Sequence, residues 1–209
     1  MACMRKPFPA ALHHISTLSV FPPVPGTVAR ESDELEDLGA VKLLFEGYAQ
    51  SKWVAEKKVL AARERGLPCT IFRLGRITGG SSTGLASVED FMCRLIKGCL
   101  QLNAAPDLGW PLDMNPADYV AQVICELSLV KSNKGRIFHI CHPRMMKLQN
   151  YFQWLHKSFG YTALRIIGYE KWRETLVQEI AALSEGGVAI DQVCNGGDLP
   201  CLPHRYFCK

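Results

Sequence analysis

The sequence predicts an α/β chain organised round a parallel sheet. Three observations predict it. An apolar, hydroxyl-rich run over 12–21 ends at Pro22-Pro23 and reads as a buried strand entering a loop. Residues 45–65 are rich in Ala, Lys, Glu and Arg and are stopped by Gly66 and Pro68, the pattern of a helix and its C-terminus. Residues 69–73, Cys-Thr-Ile-Phe-Arg, then read as a short buried strand. Strand, helix and strand joined by so long a crossover make parallel neighbours.

The remaining elements follow in order. Residues 30–39 are acidic and polar, a surface loop or short helical turn. A glycine-rich loop covers 75–84, a helix about 88–102, and a loop 106–115. Residues 116–129 read as a helix with Pro116 in its first turn, where a missing N–H does no harm. A strand is expected over 136–141, a helix over 147–159, a short strand over 164–167 and a helix over 169–183. No internal repeat or low-complexity segment appears.

Bulk properties narrow the function. With 209 residues, 48% hydrophobic and 21% charged, the chain can bury one sizeable core, or one core and a small satellite. The net charge of +4 is modest, and Lys and Arg are scattered, so neither nucleic acid nor a membrane surface is implied. No apolar run reaches the length of a membrane span, and no apolar segment backs the charges at 5–6. The expectation is a cytoplasmic protein whose nine cysteines are reduced thiols. Cys69, Cys93, Cys125 and Cys141 lie in apolar segments and read as small core residues. Cys194, Cys201 and Cys208 recur near His204, but without the close Cys pairs of zinc sites, so no metal is expected.

The chemistry is carried by Tyr48-x-x-x-Lys52, downstream of Ser16-Thr17. Positions i and i+4 share a helix face, so a phenol and an ammonium can meet there. A nearby ammonium favours the phenolate and makes the phenol a usable proton donor near neutrality. The Thr17 hydroxyl, on an upstream strand, can hold a carbonyl oxygen. Together they read as carbonyl–alcohol redox chemistry. With 6 Tyr and 12 Lys, chance alone supplies roughly 0.3 such pairs, so the spacing needs support from its surroundings. The loop Gly75-x4-Gly80-Ser81-Ser82 superficially resembles a phosphate-binding loop but lacks its lysine. A flexible loop over a bound ligand is the better reading.

Residues 14–20, His-Ile-Ser-Thr-Leu-Ser-Val, and 47–57, which contain the Tyr–Lys pair, resemble the extended short-chain dehydrogenase/reductases. The likeness is greatest to the thioester reductase domains that terminate nonribosomal peptide synthetases, carboxylic acid reductases and aminoadipate reductases. Residues 67–79, 90–98, 112–120 and 137–140 agree in the same order. The resemblance implies a partial Rossmann-like sheet over 1–80, and over 81–209 the remaining core mixed with a small, helical, substrate-facing part. It implies that Thr17 hydrogen-bonds the substrate carbonyl, Tyr48 donates the proton, and Lys52 lowers the phenol's pKa and binds the nicotinamide ribose. Ser16, Tyr48, Lys52 and the segment Leu74, Gly75, Arg76 and Ile77 would border the cofactor, expected to be NADPH. The family usually has proline where Leu74 stands. Gln50, Arg94 and Lys97 could touch substrate or a phosphopantetheine arm, although solvated or supporting roles fit them better. The late tail, with Asp191, Cys194, Pro200, Tyr206 and Phe207, looks like a shortened family C-terminus.

The implied reaction is reductive release, in which an acyl thioester on a phosphopantetheinyl acyl or peptidyl carrier becomes an aldehyde or alcohol. The family's G-x-x-G-x-x-G cofactor fingerprint does not occur in the sequence. The expectation is therefore a C-terminal reductase portion that lacks the N-terminal half-domain and exposes an apolar sheet edge. A non-catalytic remnant or interaction fragment is the alternative. Within enzymes the alternative is another extended reductase, such as a fatty-acyl reductase or sugar-nucleotide epimerase.

Overall fold

A computed structural model describes residues 10–22, 26–33, 35, 44 and 47–185. In chain order its strands and helices are β1 (Leu12–Thr17), α1 (Gly47–Glu64), β2 (Cys69–Leu74), β3 (Ile77–Thr78), α2 (Phe91–Gln101), β4 (Ala104–Pro106) and β5 (Pro111–Leu112). Then come β6 (Asn115–Pro116), α3 (Ala117–Leu129), β7 (Ile137–Ile140), β8 (Met146–Lys147), α4 (Leu148–Ser158), β9 (Arg165–Ile167) and α5 (Tyr169–Glu185). They fall into two compact units, Met1–Ile77 with Met114–His142, and Thr78–Asp113 with Pro143–Lys209.

The first unit is built on a three-stranded sheet of order β1-β2-β7, parallel throughout. Register places Ile15 beside Phe72 and Phe72 beside Phe138, and one step on, Ser16 beside Arg73 and Arg73 beside His139. Side chains alternate between faces. One face therefore carries Phe72, Leu74, Phe138 and Ile140, which form a core cluster with Val120 of α3. The Phe72 and Phe138 rings stack at 5.7 Å. The opposite face carries a polar row, Ser16, Arg73 and His139.

Helix α1 lies in the same unit. Ala49, Trp53 and Glu56 are its buried residues. That i, i+4, i+7 spacing is the stripe of a core-facing helix, except that its third member is an acid. Ala49 and Trp53 pack with Val20, Leu35 and Leu44, and Leu60 adds to them. The helix stops at the glycine the sequence offers: Gly66 has φ +93, its N–H reaches the Arg63 carbonyl at 2.9 Å, and the Leu67 N–H reaches Ala62 at 3.1 Å. This is a Schellman cap, and only glycine adopts that φ without strain.

In the second unit β4 pairs in parallel with β9 and β5 antiparallel with β8. Asp90 caps α2 by accepting the Met92 N–H at 2.8 Å. Leu148, Tyr151, Phe152 and Leu155 form the buried stripe of α4. The Trp172 indole of α5 donates to the Ala104 carbonyl at 3.2 Å.

Three expectations need correction. The run 12–21 is not all strand: β1 ends at Thr17, whose hydroxyl accepts the Ser19 N–H at 3.2 Å and caps a 3-10 turn, Leu18–Val20. The capped turn takes up the backbone that would otherwise carry the ladder beyond Thr17. The loop expected over 106–115 holds short strand pieces, because paired backbone there takes up hydrogen bonds a bare loop would leave open. Cys125 and Cys141 are exposed rather than core, since α3 and the end of β7 turn those positions away from the Phe72–Phe138 cluster; Cys69 and Cys99 are buried. No helix among the described residues is long and apolar enough to cross a membrane.

Candidate functional site

Thr17, Tyr48 and Lys52 all lie in the first unit, Thr17 at the carboxyl end of β1 and the other two in the first turns of α1. In open α/β sheets ligands bind outside the carboxyl ends of the strands. Thr17 is 8% exposed, while Tyr48 is 56% exposed, so the hydroxyl is set into the sheet and the phenol stands out from the helix. Lys52 links the two elements: its Nζ donates to the Ile15 carbonyl at 3.2 Å. An ammonium has three donors, so two N–H groups remain for other acceptors.

The segment after β2 is held by backbone. The Gly75 N–H donates to the Ile140 carbonyl at 2.8 Å, which continues the β2–β7 ladder one residue past Leu74. The Arg76 carbonyl accepts the Asn115 backbone N–H at 2.9 Å and its side-chain amide at 3.1 Å. Leu74 thus ends β2 beside Thr17, and Gly75, Arg76 and Ile77 follow along a fixed path at the same end of the sheet. The Gln50 side-chain amide donates to the Leu44 carbonyl at 2.8 Å. Arg94 pairs with Glu89 at the surface.

Sequence reasoning missed the cluster behind these residues. Glu56 sits one turn beyond Lys52 and is wholly buried, as is Arg73. Arg73 Nε and Nη2 donate to Glu56 Oε1 at 2.9 and 2.8 Å. The other oxygen, Oε2, accepts a hydrogen bond from Ser16 Oγ. Arg73 also donates to the Asp33 carbonyl at 3.3 Å, and its guanidinium lies 4.6 Å from the Phe21 ring centroid. Its Nη1 is 3.3 Å from His139 Nε2. A guanidinium only donates, so Nε2 accepts and the neutral ring carries its proton on Nδ1. Burial, and then the Arg73 charge, hold the His139 pKa below its usual 6.5, against a weaker upward pull from Glu31, Asp33 and Glu56. The Glu31 carboxylate accepts the His139 backbone N–H at 2.8 Å. Burial likewise lowers His14, with Glu56 opposing and Lys52 assisting. One signal was present in the sequence: an arginine inside an otherwise apolar strand has to find an acid.

Among the described residues no cluster of His, Cys, Asp or Glu could hold a metal ion. The Cys194, Cys201, Cys208 and His204 pattern, and the tail residues Asp191, Pro200, Tyr206 and Phe207, lie outside the described residues.

Comparison with known proteins gives concordant matches. Residues 2–124 match an NAD-binding family described as Male sterility protein. The chain is 34% identical over 188 residues to a component of the linear gramicidin synthase of Brevibacillus parabrevis, covering 88% of this chain and 3% of that protein. It is 37% identical over 158 residues to L-2-aminoadipate reductase of Saccharomyces cerevisiae, covering 74% of this chain and 11% of the enzyme. Among solved structures, the terminal R domain of the myxalamid PKS-NRPS pathway superimposes with TM-score 0.77 at 38% identity, over 88% of this chain and 45% of that one. The reductase domain of a Mycobacterium tuberculosis nonribosomal peptide synthetase, at 22% identity and TM-score 0.68 over 91% of this chain and 47% of that one, shares the fold. The chain spans under half the length of these two reductase structures and a small part of the curated relatives.

Proposed function

Because the chain belongs to the NAD-binding family described as Male sterility protein and has the α/β fold of extended short-chain reductases, we propose that it carries the carbonyl-reducing side of an NADPH-dependent thioester reductase. One observation carries the reading. Lys52 donates to the carbonyl of Ile15, two residues before Thr17, which ties the helix bearing Tyr48 to the strand bearing Thr17.

The residues would act as follows. Thr17, at the strand end, hydrogen-bonds the carbonyl oxygen of an acyl thioester. Tyr48, exposed on α1, donates a proton to that oxygen as negative charge gathers there. General acid catalysis of this kind is worth on the order of 10²–10⁴-fold. Lys52 steadies the phenolate left behind and hydrogen-bonds the nicotinamide ribose with its remaining N–H groups. The Ser16 backbone, whose hydroxyl is committed to Glu56, and the backbone path from Leu74 through Gly75 and Arg76 to Ile77 would border the nicotinamide. NADPH, when bound, supplies the hydride. Overall one hydride and one proton convert the thioester to an aldehyde and a free thiol; a second round would give the alcohol. The acyl group would arrive on the phosphopantetheine arm of an acyl or peptidyl carrier, as the likeness to a component of the linear gramicidin synthase and to a terminal R domain of a PKS-NRPS pathway supports.

A second reading, that these 209 residues reduce nothing unless a phosphate cradle is supplied from outside them, is favoured by the lack of G-x-x-G-x-x-G within them. Titrating the chain with NADPH and NADH, then assaying thiol release from an acyl-phosphopantetheine, tests both. The first reading expects NADPH-dependent release that Tyr48→Phe abolishes. Micromolar NADPH affinity in the isolated chain would overturn the second reading. Equal use of NADH would overturn the NADPH assignment.

A further inference from the structure

The reducing set explains Thr17, Tyr48 and Lys52, but not why a full ion pair is buried directly behind them. Stability alone is a poor reason, because well-packed apolar residues of similar size do as well as a buried pair or better. Direction is what the pair adds. Hydrogen bonds of fixed length and angle hold elements in one relative position, whereas apolar contacts tolerate sliding.

We infer that Glu56 and Arg73 are positioning residues that set the strand bearing Thr17 at one height along the helix bearing Tyr48 and Lys52. This inference rests on the proposed reading of that set. Glu56 uses its two carboxylate oxygens separately: Oε2 takes the Ser16 hydroxyl of β1, and Oε1 takes the Arg73 fork of β2. One side chain of α1 is thereby tied to two adjacent strands. Lys52, one turn earlier, makes the second tie to β1 through Ile15. Two consecutive strand residues, Ile15 and Ser16, are thus clipped to helix residues four apart, and Thr17 comes next. With both clips closed, β1 has no freedom to slide along α1. Arg73 extends the hold across the sheet, because Ser16, Arg73 and His139 occupy one row in register. A displacement of about 1 Å in a catalytic group can reduce rate on the order of 10²-fold, which is the reason to commit buried charge to register.

Ser16 is the lever that opens one clip and leaves the buried charges balanced. Ser16→Ala should show faster amide hydrogen exchange at 15–19, weaker Lys52–Ile15 cross-peaks by NMR, and a lowered urea midpoint, because a buried carboxylate oxygen loses its donor. Exchange in β2 and β7 should change less than at 15–19. In the assembled reductase kcat should fall on the order of 10- to 100-fold at unchanged KM, and Ser16→Thr, which restores the hydroxyl, should recover it. Glu56→Gln keeps an acceptor for Ser16 and should preserve the Lys52–Ile15 contact better than Glu56→Ala. Unchanged exchange at 15–19 in Ser16→Ala, or a fall in midpoint with kcat intact, would overturn the inference. Loss of the cross-peaks in a chain whose parent reduces no thioester would support the clip and overturn the proposed reaction instead.

Discussion

Replacing Glu56 by methionine leaves the Arg73 guanidinium buried with no carboxylate against it. Both side chains are fully shielded from water, so neither charge can recover hydration. Removing one partner of such a pair destabilises by about 3–5 kcal/mol. Two features bear on where in that range the variant falls. Arg73 retains the Asp33 carbonyl at 3.3 Å and the Phe21 ring at 4.6 Å, a cation–π contact worth about 0.5–2 kcal/mol. Ser16 loses its acceptor, which works the other way by about 1–3 kcal/mol. The two nearly offset, leaving about 4 kcal/mol against a whole stability of about 5–15 kcal/mol. Urea unfolding followed by circular dichroism and by the fluorescence of buried Trp53 reads the loss. The companion variant Glu56→Met/Arg73→Met removes both charges and should unfold within about 2 kcal/mol of the parent. A single variant that loses less than about 1 kcal/mol, or a double variant less stable than the single, would refute the buried-charge reasoning.

Other perturbations address the rest of the molecule. Tyr48→Phe should lower thiol release on the order of 10²–10⁴-fold while leaving the urea midpoint within about 0.5 kcal/mol, because the ring is exposed; near-parental turnover would show that another group gives the proton. His139 and His14 have folded pKa values below 6.5, so the unfolded chain takes up protons more readily than the folded one. Stability should be level above the unfolded value of 6.5 and fall as the pH drops from there toward the folded values. His139→Gln, which keeps an acceptor for Arg73, should flatten that slope; a midpoint that rises on acidification across this window would contradict the assignment. Gly79→Ala should distort the 79–85 turn, because a Cβ there would stand 2.8 Å from the Leu85 backbone oxygen, and thermal unfolding should show a loss of about 1–3 kcal/mol.

The strand–helix–strand start of the fold was legible because each element carries its own local signal. Gly66 and Pro68 announce the end of α1, and Ile71–Phe72 announce a strand with apolar neighbours on both faces. Thr17, Tyr48 and Lys52 could be singled out because their chemistry is unusual at that spacing. What escaped depends on partners distant in sequence. Nothing near Glu56 says that it is buried, since helices of this composition usually present their acids to water. Only the register of β1 against β2 brings Ser16, Arg73 and Glu56 together. The end of β1 was missed for a local reason: Leu18 to Val20 is as apolar as the strand, and the Thr17 hydroxyl decides the matter by capping a turn. Cys125 and Cys141 look apolar by neighbourhood, yet the faces they occupy point outward.

The buried arginine also has a consequence for the order in which the chain assembles. A β2 strand that docked early would carry a bare guanidinium into apolar surroundings, a state too unfavourable to populate. Glu56 arrives only when α1 is formed and seated, so the strand and the helix must consolidate in the same step. The rate-limiting ensemble for folding should therefore already contain α1 against β1 and β2. Truncations at Ala49 and Trp53, which seat that helix, should slow refolding more than they hasten unfolding. Stopped-flow refolding of Trp53→Phe and Ala49→Gly is the measurement, and effects confined to the unfolding limb would place helix docking after the barrier.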